Sequence, residues 1–146
     1  MEPEHRARDA NELYRRYFET VTLAAKSGLF TTIGHFDLIK LFGVRPGLDV
    51  VTLADEALTA AAEHNLTIEV NTSGKYKPVG EFYPERRLLE EIKSRGIPFT
   101  MGSDAHSVHV VGRDLREACR LLREIGVRTV VGFTGLERVS WSLDSF

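Results

Sequence analysis

The chain has 146 residues, 42% hydrophobic and 27% charged, with a net charge of −2. This is the composition of a globular protein able to bury a core, and the charge gives no basis for nucleic acid or an anionic membrane as a partner. One cysteine, Cys119, excludes an internal disulfide. No run of ~18 apolar residues marks a membrane span. The polar N-terminus "MEPEHRARDANELYRRY" lacks the apolar core of a signal peptide, so a cytoplasmic protein is expected.

In chain order, a helix is expected over about 10–26, with Leu13, Tyr17, Val21 and Ala24 on its inner face. A strand follows over 31–36. A second helix, about 53–64, places Leu53, Ala57, Leu58, Ala61 and Ala62 inward behind a cap at Thr52. The second strand covers 66–70. A third helix runs from Pro84, suited to a first turn, to Arg95, and stops at Gly96; Leu88, Leu89 and Ile92 pack. The third strand is 98–101. A fourth helix, about 114–125, buries Leu115, Ala118, Cys119, Leu122 and Ile125. The fourth strand is 129–133, and the tail "SWSLDSF" gives no clear signal. The basic pairs Arg15-Arg16 and Arg86-Arg87 sit beside acids and read as solvated helix faces. No linker divides residues 1–146, so one domain is expected.

Strand starts recur every ~30–35 residues, the length of a βαβ unit. An α/β fold with about four parallel strands alternating with helices follows. Four strands make either a small open sheet or part of a larger barrel, since a full eight-fold barrel takes about 250 residues.

In parallel α/β folds the chemistry sits at the C-terminal ends of the strands. There the sequence puts "GHFD" with His35 and Asp37, "EVNTSG" with Glu69, Asn71 and Ser73, and "GSDAH" with Asp104 and His106. Imidazole and carboxylate suit Zn²⁺, Mn²⁺ and non-haem iron. Each residue also has a plain reading. Asp104 caps a turn or orients His106; His35 is a core histidine; Glu69 faces solvent; Asn71 and Ser73 are loop formers. His64 reads as a favourable charge at a helix C-terminus, His109 as an exposed loop residue and His5 as part of a polar tail.

The segments "YFETVTLAAKSGLFTTIGHFDLIKLFG", "IEVNTSGKYKPVGEFYPERRLLEEIKSRGIPFTMGSDAHSVHVVG" and "VVGFTG" together resemble the polymerase and histidinol phosphatase (PHP) superfamily, specifically its histidinol-phosphatases. The resemblance implies a distorted (βα) barrel with metals at the C-terminal ends of its strands. It implies His35, Asp104 and His106 as metal ligands, Asp104 and His106 as catalytic, and Glu69, Asn71, Lys75 and Lys77 as substrate contacts; Asp37 matches a position near the site. Divalent Zn, Fe or Mn, fully or partially loaded, would be the cofactor. The implied reaction is attack of water on the phosphorus of L-histidinol phosphate.

The family opens with a His-x-His motif, and this chain has none. It therefore corresponds to the C-terminal half of a PHP barrel. Three alternatives stand: a half active only with an N-terminal half-barrel partner, a half-barrel completed by a second copy of itself, or a non-catalytic interaction module with a degenerate metal site. In the first two, the small-molecule partner is a phosphorylated substrate.

Overall fold

The computed structural model describes the backbone of residues 3–145 and the side chains of residues 9–145. The expectation for His5 lies outside the described side chains.

Helix α1, Pro3–Lys26, leads into the short strand β1, Thr32–Ile33. Its buried face is centred on Ala10, Tyr14, Phe18 and Ala25. That is one residue away from the expected stripe, and Leu13 is exposed. The two aromatic rings decide the rotation: Phe18 packs edge-on to Tyr14 and Tyr17 and lies against Phe36, burying more area than Leu13 would.

Helix α2, Val50–Glu63, is capped by Asp49, whose carboxylate accepts the Val51 N–H, and not by Thr52. It buries Ala54, Ala57, Leu58 and Ala61 while Ala62 stays exposed. Helix α3, Arg86–Ser94, starts two residues after Pro84, behind Glu85. Leu88, Leu89 and Ile92 are fully buried as expected, each worth roughly 1.5–3 kcal/mol relative to exposure. Helix α4, Leu115–Glu124, buries Ala118, Cys119 and Leu122.

Strands β2, Thr67–Asn71, and β3, Phe99–Gly102, join β1 in a parallel sheet of order β1-β2-β3. Parallel strands alternating with helices make this the expected α/β arrangement. The fourth expected strand departs from it. Strand β4, Thr129–Thr134, pairs antiparallel with β5, Glu137–Ser142. Gly135, at φ +63°, takes the first position of a two-residue turn between them. Such a turn closes a hairpin at little entropic cost, whereas another parallel pairing needs a crossover. β5 is not among the expected strands, and only its last three residues fall in the tail without a clear signal; its Trp141 covers Gly132, where a side chain would collide with the indole. Arg138 on β5 donates to Asn65 Oδ1 at 3.0 Å, tying the hairpin to the start of β2.

Candidate functional site

The register of the sheet builds the site. Asn71 lies opposite Gly102 and Glu69 opposite Thr100. Residues 69 and 71 project to the same side of β2. Glu69 Oε2 accepts the Asn71 side-chain amide at 2.9 Å and the backbone N–H of His35 at 3.1 Å. Asn71 Oδ1 accepts the N–H and the hydroxyl of Ser73 at 3.0 and 2.7 Å. Ser73 Oγ also lies 3.3 Å from Asp104 Oδ2. A hydroxyl has one proton, so the shorter bond to Asn71 and the longer approach to Asp104 are alternatives. One polar chain thus connects the C-terminal ends of β1, β2 and β3.

Glu69 does not face solvent; it is half-buried at the centre of this chain. Bare backbone flanks it. A Cβ on Gly34 would stand 3.2 Å from Oε2, and one on Gly102 would overlap Oε1. Asn71 is buried and its N–H and C=O pair with Tyr83 at 2.7 and 3.0 Å. His35 and Asp104 hold left-handed backbone, φ +30° and +50°, which costs a residue with a side chain about 1–2 kcal/mol. Backbone strain of this kind gathers at functional sites.

His106 turns Nδ1 back onto the carbonyl of Asp104 at 2.8 Å. Its side chain is 87% exposed and that of Asp104 38% exposed. Among the described residues no group of three His, Cys, Asp or Glu side chains surrounds a point where a metal ion would sit. The donor types at β1 and β3 suit a divalent cation, and His106 keeps its second ring nitrogen available. The described residues do not by themselves enclose an ion.

Lys75 is held by Glu117 at 2.5 Å, with Asp114 at 3.5 Å. The hydrogen bond that Lys75 donates to Glu117 holds its ammonium above the usual lysine pKa. Lys77 is exposed and ends the short helix after β2. Tyr76 donates to Asp114, and this bond, ahead of Lys75 and Arg113, holds the Asp114 carboxyl below its usual range. A cavity of about 570 Å³ between α3 and α4 is lined by Lys75, Phe82, Arg86, Glu117 and Arg120. Neither His35 nor His106 borders it.

Asp37 is not a surface contact for substrate. It is fully buried and pairs with Lys40, also fully buried, at 2.9 Å. Burial pushes the Asp37 carboxyl up, opposed by Lys40 and the Glu85 N–H. Lys40 also reaches Glu81 Oε1 and the Phe82 carbonyl, each at 2.8 Å. Burial at Glu81 acts upward, but the hydrogen bonds from Lys40 and Arg45 outweigh it and hold the carboxyl low. Lys40 and Glu81 carried no site signal in the sequence beyond the i, i+3 spacing of Lys40 from Asp37.

No family model matches the chain. It is 44% identical over 127 residues to a "Probable histidinol-phosphatase" of Deinococcus radiodurans, covering 87% of this chain and 48% of that protein. The chain resembles the histidinol-phosphatases. The histidinol-phosphatase of Bacillus subtilis is 32% identical over 109 residues, covering 68% of this chain and 41% of that protein. The crystal structure of a protein titled "putative histidinol phosphatase hisK" from Listeria monocytogenes superimposes with a TM-score of 0.62 at 30% identity, covering 70% of this chain and 42% of that one. The chain spans about half the length of the histidinol-phosphatase relatives it matches. Among the described residues no helix is long and apolar enough to cross a membrane.

Proposed function

We propose that the chain is the C-terminal half of a PHP-type, metal-dependent phosphoesterase that hydrolyses L-histidinol phosphate to histidinol and phosphate, a step of histidine biosynthesis in the cytoplasm. The observation that carries this reading is the polar chain from His35 through Glu69, Asn71 and Ser73 to Asp104, which brings three strand ends to one rim.

In this reading His35, Asp104 and His106 are the ligands that this half offers. Divalent Zn, Fe or Mn, when bound, supplies a Lewis acid that acidifies water and balances charge on phosphate. Glu69 fixes the backbone of His35, and Ser73, placed by Asn71, meets the carboxylate of Asp104 when its hydroxyl proton turns from Asn71. Lys77, exposed in the loop after β2 and without a side-chain partner among the described residues, meets the phosphate; Lys75 does so only by releasing Glu117. The remaining ligands come from an N-terminal half-barrel or from a second copy of this chain.

The test combines elemental analysis, light scattering and phosphate release on the full chain, alone and with the N-terminal half of the Deinococcus relative. Metal uptake and turnover that appear together on mixing support the reading. His106→Ala then lowers both. Unchanged metal stoichiometry and turnover in that variant remove His106 from the site. The 87% exposure of His106, whose Nδ1 is turned to the Asp104 carbonyl, favours a second reading, a non-catalytic interaction module with a degenerate metal site. A metal-free species that stays inactive with every partner half supports that second reading.

A further inference from the structure

The sequence assigns no role to Lys40, yet it is the one basic side chain among the described residues that the fold takes wholly out of water. Its ammonium spends all three N–H donors inside the protein, on Asp37 Oδ2 at 2.9 Å, Glu81 Oε1 at 2.8 Å and the Phe82 carbonyl at 2.8 Å. The ring of Tyr83 lies beneath it at 5.3 Å. Asp37 Oδ2 accepts the Glu85 N–H at 2.9 Å. Three groups of the segment 81–85 are thereby held against the turn that follows β1.

Both partners of this clamp lead to the site. Asp37 stands two residues after His35, within a tight turn in which the Leu38 N–H bonds to the His35 carbonyl at 2.9 Å. On the other side Tyr83 exchanges two backbone hydrogen bonds with Asn71. Asn71 and His35 meet on the same Glu69 oxygen. The path from His35 to Asn71 is therefore closed twice, once through Glu69 at the rim and once through Asp37, Lys40 and Tyr83 below it.

A buried ion pair is poor evidence of stabilisation, because well-packed apolar residues commonly do as well or better. What it provides is geometry: a compact ammonium with three donors fits three converging acceptors, which a planar guanidinium does not.

We propose that Lys40 is a positioning residue that fixes the separation between the β1 and β2 ends of the site before any ligand arrives. The proposal rests on the reading of that rim as the functional site. It concerns how the site is held, and its test does not require metal or activity.

The measurement is amide hydrogen exchange on the full chain without added metal, for wild type and two variants. Asp37→Asn with Lys40→Met removes both buried charges at nearly constant volume. Lys40→Arg keeps the charge and loses the convergence. In both variants protection at His35, Asn71 and Tyr83 falls at least tenfold while Val130 in β4 keeps its own. Wild-type protection at His35 and Asn71 in either folded variant overturns the proposal. If the double variant does not fold, Lys40→Arg alone decides. A parallel Mn²⁺ titration of wild type, alone and mixed with the N-terminal half of the Deinococcus relative, separates the two readings: no Mn²⁺ uptake in either case, with the protection losses present in both variants, sinks the metal site and leaves Lys40 in its role.

Discussion

The carboxylate of Glu69 lies against the bare Cα of Gly102, in the space that a side chain at 102 would fill. Its other oxygen is fixed by the His35 N–H and by Asn71. Gly102 is therefore a steric requirement of the site rather than of the backbone, because it lacks the positive φ that favours glycine.

Gly102→Ala is expected to push Glu69 off these two donors at a cost of about 1–3 kcal/mol. The change shows as a lower urea midpoint and as lost exchange protection at His35. Gly74→Ala is expected to cost more. There the new methyl would meet the Glu81 carbonyl and stand 2.8 Å from the Tyr83 ring, and neither moves aside as easily as a carboxylate. A Gly102→Ala chain with the wild-type midpoint and an intact His35 amide would show that Glu69 is not confined.

His35→Gly and Asp104→Gly are expected to leave stability unchanged or raise it by up to about 1 kcal/mol. Each relieves left-handed strain of about 1–2 kcal/mol against an added entropy cost of about 0.5–1 kcal/mol. Each also removes a donor proposed for the metal, so Mn²⁺ uptake by the assembled protein falls while the melting temperature holds. A clear loss of stability in both variants would argue that these residues serve the fold.

Tyr14 governs an alkaline limb of stability. Burial, ahead of the charges around it, pushes its hydroxyl up to about 12, and the hydroxyl donates to the Val44 carbonyl at 2.8 Å. The folded pKa lies above the unfolded value near 10, so the folded chain holds the proton more tightly. Its contribution is complete below pH ~10 and is lost as pH rises from there towards 12. Urea midpoints measured from pH 8 to 12 should fall more steeply for wild type than for Tyr14→Phe. At neutral pH the variant should be weaker by about 1 kcal/mol from the lost hydrogen bond. Parallel slopes would remove Tyr14 from this role.

Local pattern carried part of this structure. Leu88, Leu89 and Ile92 repeat at helical spacing, and Gly96 stops α3, so that helix was legible to within two residues. The same holds for Ala118, Cys119 and Leu122 of α4. The i, i+2 spacing of Glu69 and Asn71 put both on one side of β2. Pattern misjudged α1, where two neighbouring apolar stripes compete and only contact with Phe36 chooses between them. It also missed the partner of β4, because the only apolar residues of β5, Val139 and Trp141, give too short an alternation to read.

The sequence by itself determined the alternation of strands and helices and the delivery of His35, Glu69, Asn71, Asp104 and His106 to strand ends, because periodicity and turn residues act within a few positions. Only the tertiary structure decided that Glu69 lies between Gly34, just after β1, and Gly102 of β3, and that Asp37 belongs to Lys40. It alone decided that Lys40 reaches Phe82, 42 residues away. Those relationships come from burial and register across the sheet, which no local spacing encodes.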